Sequence, residues 1–143
     1  MPKIILLTGG SIKNTPEALL YQEYQKRIHY PITLVELKNK KEMQESFDKY
    51  KSQTPSWIAM DEKGINLTSI NFSKMIQQNF ETFNTIGFII GIDTGIDDAI
   101  KQQCIQKISF GAQTWPHLLA RVLLIEQLYR AQQIIQNHPY HKV

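Results

Sequence analysis

The sequence predicts an α/β protein: a mostly parallel sheet with helices on both faces. Three observations carry that expectation. Short apolar runs rich in β-branched residues alternate with longer polar segments of helical spacing. Two of the runs, 3–8 and 86–90, are nearly continuously apolar, as strands covered on both faces are. From Pro116 onward, Leu118, Val122, Ile125 and Tyr129 recur at spacings of four, three and four, the pattern of an amphipathic helix.

Taken in order, the N-terminal run 3–8 is too short for a signal peptide and lacks a small-residue cleavage site, so it is read as a buried strand. Pro16 stands near a helix start, with Asn14 or Thr15 as cap, and that helix runs to about Arg27. Pro31 breaks the chain before a second strand, 33–37. A second helix covers 40–51 and is closed by Thr54-Pro55, followed by a strand over 57–60. A third helix covers 69–80, capped by Thr68 or Ser69, and a fourth strand follows at 86–90. Asp97 and Asp98 open a short fourth helix, where negative charge suits the positive end of the helix dipole. A fifth strand, 105–110, precedes the terminal helix, whose stripe is widened by Leu119, Leu123 and Leu128. That stripe is explained by packing on the sheet, although its width also leaves room for a second chain. No repeat, low-complexity tract or linker interrupts the pattern, so one domain over 1–143 is expected.

A chain of 143 residues holds one sizeable core and is short for two. With 42% hydrophobic and 20% charged residues it is too apolar for disorder, and no stretch is apolar for long enough to cross a bilayer. One cysteine, Cys104, excludes an internal disulfide and a Cys-rich metal cluster, and reads as a small helix residue; a cytoplasmic location is expected. The net charge of +3 permits a polyanionic partner without requiring one. Lys38, Lys40, Lys41, Lys49 and Lys51 cluster, either as a solvated helix face or as a nucleic-acid contact.

Open parallel sheets bind ligands outside the carboxyl ends of their strands. Three glycine-bearing turns are expected there: Met60-Asp61-Glu62-Lys63-Gly64, Gly91-Ile92-Asp93-Thr94-Gly95 and Gly111-Ala112-Gln113-Thr114-Trp115-Pro116. Together they suggest a cofactor cleft. None is a Rossmann fingerprint or a phosphate loop, and the hydrolase and metalloprotease motifs are missing. Asp97 and Asp98, as adjacent helix residues, point in different directions and read as caps rather than a catalytic pair. The tail Asn137-His138-Pro139-Tyr140-His141-Lys142-Val143 would ordinarily be a frayed end or an expression scar. Pro139 stiffens it, however, and two imidazoles and a phenol are able to exchange protons or stack on a base. No metal site is expected.

The run Trp115-Pro116-His117-Leu118-Leu119-Ala120-Arg121-Val122-Leu123-Leu124-Ile125-Glu126-Gln127-Leu128-Tyr129-Arg130-Ala131 resembles the terminal-helix signature of the ribosomal RNA large-subunit methyltransferase H family, in the SPOUT class. The tail Asn-His-Pro-Tyr-His at 137–141 resembles that family's ending, and weaker resemblance extends over the whole chain, including 57–61 and 86–95. The resemblance implies a C-terminal trefoil knot, a homodimer, S-adenosylmethionine held in the knot, and methylation of N3 of a pseudouridine in large-subunit (23S) rRNA on the ribosome. Carried onto this chain, it implies cofactor contacts at Met60, at Gly91, Ile92 and Gly95, and at Gly111, Ala112, Gln113, Thr114, Trp115 and Pro116, with Met60 and Ile96 as apolar walls. It implies that His117, Arg121, Arg130 and His138 face the RNA and the target base, and that Arg121, Tyr140 and His141 lie at the chemistry. Tyr140 or His141 would remove the N3 proton, or would only position the base.

Two departures qualify the resemblance. The family's fourth-strand loop reads Gly-Gly-Pro-x-Gly; here Ile92 stands where the backbone is expected to need glycine, and Asp93 stands where proline stiffens the turn. The chain is also short after Leu37, in a loop that is typically basic and glycine-rich, although Lys38, Lys40 and Lys41 keep some of that charge. The sequence therefore leaves a second reading, a SPOUT-fold RNA-binding protein with impaired cofactor binding. An unrelated flavodoxin-like domain would require the helix and tail matches to be coincidence.

Overall fold

The computed structural model describes residues 1–141 and arranges them around one five-stranded sheet. The strands are β1 (Lys3–Gly9), β2 (Ile32–Leu37), β3 (Trp57–Asn66), β4 (Thr85–Ile90) and β5 (Gln106–Ser109). The helices are α1 (Pro16–Gln25), α2 (Lys40–Tyr50), α3 (Ser69–Phe83), α4 (Asp98–Lys101) and α5 (His117–Ile135). The sheet order is β2-β1-β4-β3-β5, and every neighbouring pair is parallel.

The two nearly continuous apolar runs became the two most enclosed strands. All of β4 and all of β1 after Lys3 are buried, because each lies between two other strands and under helices on both faces. Alternation along β1 sends Ile4 and Leu6 to one face and Ile5 and Leu7 to the other. The first face packs on α1, α3 and α5 through Tyr21, Ile76 and Leu124; the second packs on α2 and α4 through Met43, Phe47 and Ile100. On this second face the Phe47 ring meets the Trp57 indole edge-on, with centroids 5.3 Å apart.

Local chemistry sets the element ends. Asn39 accepts from the Glu42 N–H at 2.9 Å and starts α2, and the Thr68 hydroxyl accepts from the Asn71 N–H at 3.1 Å and starts α3. Thr15 occupies the cap position of α1, but its hydroxyl donates to the Ile12 carbonyl. Asp97 occupies the cap of α4 without a side-chain cap bond, its carboxylate lying 3.6 Å from Lys40 Nζ. Two boundaries differ from the sequence expectation by more than two residues. Helix α3 runs three residues past Phe80, to Phe83, because it stops only where Asn84 turns left-handed at φ 65° and returns its N–H to the Phe80 carbonyl. The turn expected at 60–64 is an excursion inside β3: Met60 and Ile65 both pair with Ile108, so the chain leaves the ladder and re-enters it.

The path after β5 positions everything that follows. Strand β5 lies at one edge of the sheet, yet α5 begins beside Gly10 at the end of β1. Residues 110–116 therefore cross the carboxyl ends of β3 and β4. Helix α5 then runs back along α1 and α3, burying Leu124, Ile125 and Leu128. Among the described residues, no helix is long and apolar enough to cross a membrane.

The second face is a packed layer, so Phe47→Ala should lower unfolding stability in urea by about 3–5 kcal/mol. A loss below about 1 kcal/mol would mean that α2 only rests on the sheet.

Candidate functional site

The carboxyl ends of β3, β4 and β5 open into a cleft of about 590 Å³, within the usual range for small-ligand sites. Its walls come from the three glycine-bearing segments. Of the expected cofactor positions, Met60, Gly91, Ile92, Gly95, Gly111, Gln113, Thr114, Trp115 and Pro116 line the cleft, and only Ala112 is absent from its wall. Ile96 and His117 also border it. The charged rim consists of Asp61, Glu62, Lys63 and Lys101. The first three belong to the expected 60–64 turn, although only Met60 of that turn was expected at the cofactor; Lys101, on α4, had no signal in the sequence.

The loop after β4 is a tight turn in which the Gly95 N–H donates to the Ile92 carbonyl at 2.8 Å. The residue that needs left-handed freedom is Gly95, at φ +85°, and not Ile92. The expectation that Ile92 occupies a position requiring glycine is thus corrected. Its backbone lies in an ordinary region, and its side chain packs against the second core cluster. Asp93 is exposed, with Oδ1 3.2 Å from His117 Nδ1, which links this loop to the first residue of α5.

The other two loops are tied to each other. The Thr114 hydroxyl donates to the Glu62 carboxylate, and the Ser109 hydroxyl accepts from the Gly111 N–H at 3.0 Å where the chain leaves β5. At the rim, Lys101 Nζ lies 3.3 Å from Asp61 Oδ2, and the Lys63 N–H donates to Asp61 Oδ1 at 3.1 Å. Burial pushes the Asp61 carboxyl up, but those two donors outweigh it and hold the group below the ordinary aspartate value. Beyond Trp115 lies a second cavity of about 440 Å³, which shares Ile108, Phe110 and Trp115 with the first and reaches Leu123 and Glu126 on α5.

The residues expected at the RNA and the target base divide into two places. Arg121 is corrected outright: it is fully buried and faces no RNA. It projects one turn below His117 on the inward side of α5, where its guanidinium donates to Glu36 Oε2 at 2.6 Å and to the Gly9 and Gly10 carbonyls at 3.1 and 2.9 Å. Arg130 lies near the far end of α5. Its Nε donates to Glu126 Oε1 at 2.9 Å, Nη1 is 3.0 Å from His141 Nδ1, and its guanidinium covers the Tyr140 ring at 4.8 Å. Tyr140 also meets Tyr129 edge-on at 4.8 Å, so the tail folds back on its own helix. Partial burial, and after it the Glu126 carboxylate, raises the Tyr140 phenol, against which Arg130 works. His138 is exposed, and its Nδ1 accepts from the Tyr140 N–H. Lys142 and Val143, the last two residues of the tail and beyond the 137–141 motif, lie outside the described residues.

His117 and Arg130 stand thirteen helical steps apart, roughly 20 Å at the α-helical rise. One chain thus gathers the cofactor positions at one end of α5 and the tail groups at the other. The lysine cluster is partly neutralised, since Lys41, Lys51 and Lys40 face Glu45, Asp48 and Asp97. Burial pushes the Cys104 thiol up to about 11, as fits a packing residue. Among the described residues no group of His, Cys, Asp and Glu is arranged to hold a metal.

The Asp61 pair has a pH signature. Its depressed pKa adds stability above the unfolded value of about 3.9, and that contribution disappears as pH falls through the folded value. Replacing Lys101 by Met should move the Asp61 carboxyl resonance midpoint upward in an NMR titration; an unmoved midpoint would show that the ammonium does not hold it.

Residues 2–141 match the family model described as "Predicted SPOUT methyltransferase". The protein named ribosomal RNA large subunit methyltransferase H of Novosphingobium aromaticivorans is 37% identical over 139 residues, covering 96% of each chain. The protein of the same name from Zymomonas mobilis is 36% identical over 143 residues, covering 98% of each. Among solved structures, the SpoU methyltransferase AviRb of Streptomyces viridochromogenes, in complex with the cofactor AdoMet, superposes with a TM-score of 0.51 over 92% of this chain at 14% identity. This chain spans 57% of that one, and the likeness carries the fold alone. With a family match over nearly its whole length and relatives above 30% identity at almost full coverage, the chain belongs to the SPOUT methyltransferase family.

Proposed function

We propose that the protein is an S-adenosylmethionine-dependent methyltransferase of large-subunit ribosomal RNA, modifying N3 of a 23S pseudouridine on the ribosome. The observation that carries this reading is the cleft at the carboxyl ends of β3, β4 and β5, walled by the three loops the family uses for its cofactor. The crossing of residues 110–116 from the β5 edge to the end of β1 supports the trefoil threading expected of the family. The cytoplasm, where ribosomes are, and a single catalytic domain complete the reading.

The residues present fit the cofactor. Turn backbone at 91–95 and 109–111 offers N–H and C=O groups to adenine and ribose, while Met60, Ile90 and Ile108 supply apolar walls. Asp61, Glu62 and Asp93 make the rim negative in part, which suits a sulfonium cation. When bound, S-adenosylmethionine would supply an electrophilic methyl group for in-line transfer to the ring nitrogen, the sulfonium leaving as a neutral thioether and the N3 proton passing to solvent. The protein's part is alignment, which in favourable cases accounts for about 7–11 kcal/mol of barrier. The impaired-cofactor reading loses its main support, because Ile92 occupies its position without backbone strain.

The tail groups orient the base in this reading. Arginine only donates, so His141 Nδ1 accepts from Arg130 and its Nε2 carries the proton. The Tyr140 phenol is raised and stays protonated at neutral pH. Both therefore present donors, suited to hold the pyrimidine carbonyls. With roughly 20 Å between cleft and tail along one α5, the site is completed by a second copy packed antiparallel, which brings its tail to this chain's cleft.

Calorimetric titration with S-adenosylmethionine should give binding in the micromolar range, and Ile92→Gly should leave it within about threefold, because no strain is relieved. No binding by the native protein, with recovery in Ile92→Gly, would overturn the methyltransferase reading in favour of a degenerate site. A mixed dimer tests the shared site. A chain carrying Gly91→Val, whose Cβ would lie 2.7 Å from the Gly95 carbonyl carbon, is paired with a chain carrying Tyr140→Ala. Each homodimer should be inactive and the heterodimer active; an inactive heterodimer would place cleft and tail function in the same chain.

A further inference from the structure

We propose that Glu36 and Arg121 are positioning residues for the cofactor cleft: the ion pair between the partly exposed carboxylate and the buried guanidinium fixes the Gly9–Gly10 peptides as the floor that seats both the 91–95 loop and the His117 ring. The inference rests on the reading of the cleft as a cofactor site and adds a role to two residues outside its walls. Neither Glu36 nor Arg121 lines the cleft.

Strand β1 ends at Gly9, and the carbonyls of Gly9 and of Gly10 just beyond it need donors where the chain leaves the sheet. Arg121 meets both at once, at 3.1 and 2.9 Å, and its charge is balanced by Glu36 Oε2 at 2.6 Å. The same carboxylate oxygen accepts from the Ile12 N–H at 2.8 Å. The short segment after β1 is therefore gripped from both sides, by a donor fork on its carbonyls and an acceptor on its next free amide. Burying an arginine this deeply is costly unless its charge is matched; Glu36 and the two carbonyls hold both terminal nitrogens while Nε has no partner, so displacing the carboxylate or the carbonyls strands a further donor. The Tyr21 ring lies 6.0 Å from the guanidinium and closes the pocket, its phenol pushed up to about 12 by burial, with Arg121 opposing that rise.

What rests on the gripped segment belongs to the cleft. A Cβ on Gly9 would stand 2.5 Å from the Gly91 carbonyl oxygen and 2.7 Å from Ile92 Cα, so the cofactor loop lies backbone to backbone on Gly9. A Cβ on Gly10 would stand 2.4 Å from His117 Nε2, so the imidazole lies flush on Gly10. The other ring nitrogen of His117 faces Asp93 of the same loop at 3.2 Å. Loop, ring and helix start are thus all referenced to one dipeptide, and that dipeptide is referenced to Arg121, one turn along α5. Displacement of the guanidinium would move two cleft walls together, whereas an ordinary core residue of α5 would loosen only the helix.

The test uses the full-length protein and two readouts. Glu36 is one-third exposed, so Glu36→Ala and Glu36→Gln remain folded variants to compare. Amide hydrogen exchange is followed at Gly95, whose N–H bonds the Ile92 carbonyl, and at residues 4–7 in the middle of β1 as an internal control. Glu36→Ala should speed exchange at Gly95 by about tenfold, the equivalent of one charge-assisted hydrogen bond, and leave residues 4–7 unchanged. It should weaken S-adenosylmethionine binding by a similar factor, raising KM more than it lowers kcat. Glu36→Gln, which keeps an acceptor, should fall between Ala and native. Native exchange at Gly95 in Glu36→Ala would overturn the proposal, and so would equal acceleration throughout β1, which marks a stability role only. If the native protein does not bind S-adenosylmethionine, the cofactor reading fails by itself, while exchange at Gly95 still decides whether the pair positions the loop.

Discussion

The carbonyl groups of Gly9 and Gly10, at the end of β1, both accept from one buried guanidinium, that of Arg121. Much of the molecule follows from that arrangement. The carbonyls lie where α5 arrives after crossing the sheet ends, so the donor has to come from α5 and has to be long, flat and multiply donating; lysine offers a single point charge instead of a fork. A counter-charge must then stand beside it, and Glu36 at the end of the neighbouring strand β2 supplies it. The terminal helix is consequently tied to two strands at the opposite side of the sheet from β5, the strand that feeds it. Packing of Leu124, Ile125 and Leu128 holds the helix down, but packing is nondirectional, and the hydrogen-bonded fork fixes its start.

The crossing explains why a cleft exists. Residues 110–116 pass over the carboxyl ends of β3 and β4 and leave a space bounded by the loops below them. Bonds between loops from different strands, Thr114 to Glu62 and His117 to Asp93, close the ring of backbone around that space. A site built from turns would ordinarily be mobile. Here each turn is held by another or by the floor beneath, which is how a short chain keeps three loops in register. The tail is built by the opposite logic. It is pinned to α5 by aromatic edges and a cation above a ring.

Much of this was legible in the sequence, and the failures are as instructive. The apolar runs at 3–8 and 86–90 announced two-face burial because position inside a parallel sheet leaves no room for polar alternation. Glycine after β4 and β5 located two of the cleft walls, since turns at strand ends are where ligands approach backbone, while the third wall, 60–63, is the excursion inside β3. Arg121 misled because its role was carried over from the resemblance; its burial depends on Glu36 and on two strand-end carbonyls far away in sequence, which no local pattern displays. Ile92 misled because the need for a left-handed residue is a property of the whole turn, and here that need falls on Gly95. The excursion inside β3 was hidden for a similar reason: Met60 and Ile65 share the partner Ile108, and pairing with another strand is not written in either one's neighbours.

The most informative experiment is methyl transfer itself. Large ribosomal subunits lacking the modification would be incubated with the purified protein and S-adenosylmethionine labelled in its methyl group, and the labelled nucleotide would then be identified. Label at N3 of a single pseudouridine of the large-subunit RNA, lost when Gly91 is replaced by Val, is the predicted result. Cofactor binding without any transfer to ribosomal RNA, in free subunits or in assembled ribosomes, would contradict it and leave the cleft without its proposed substrate.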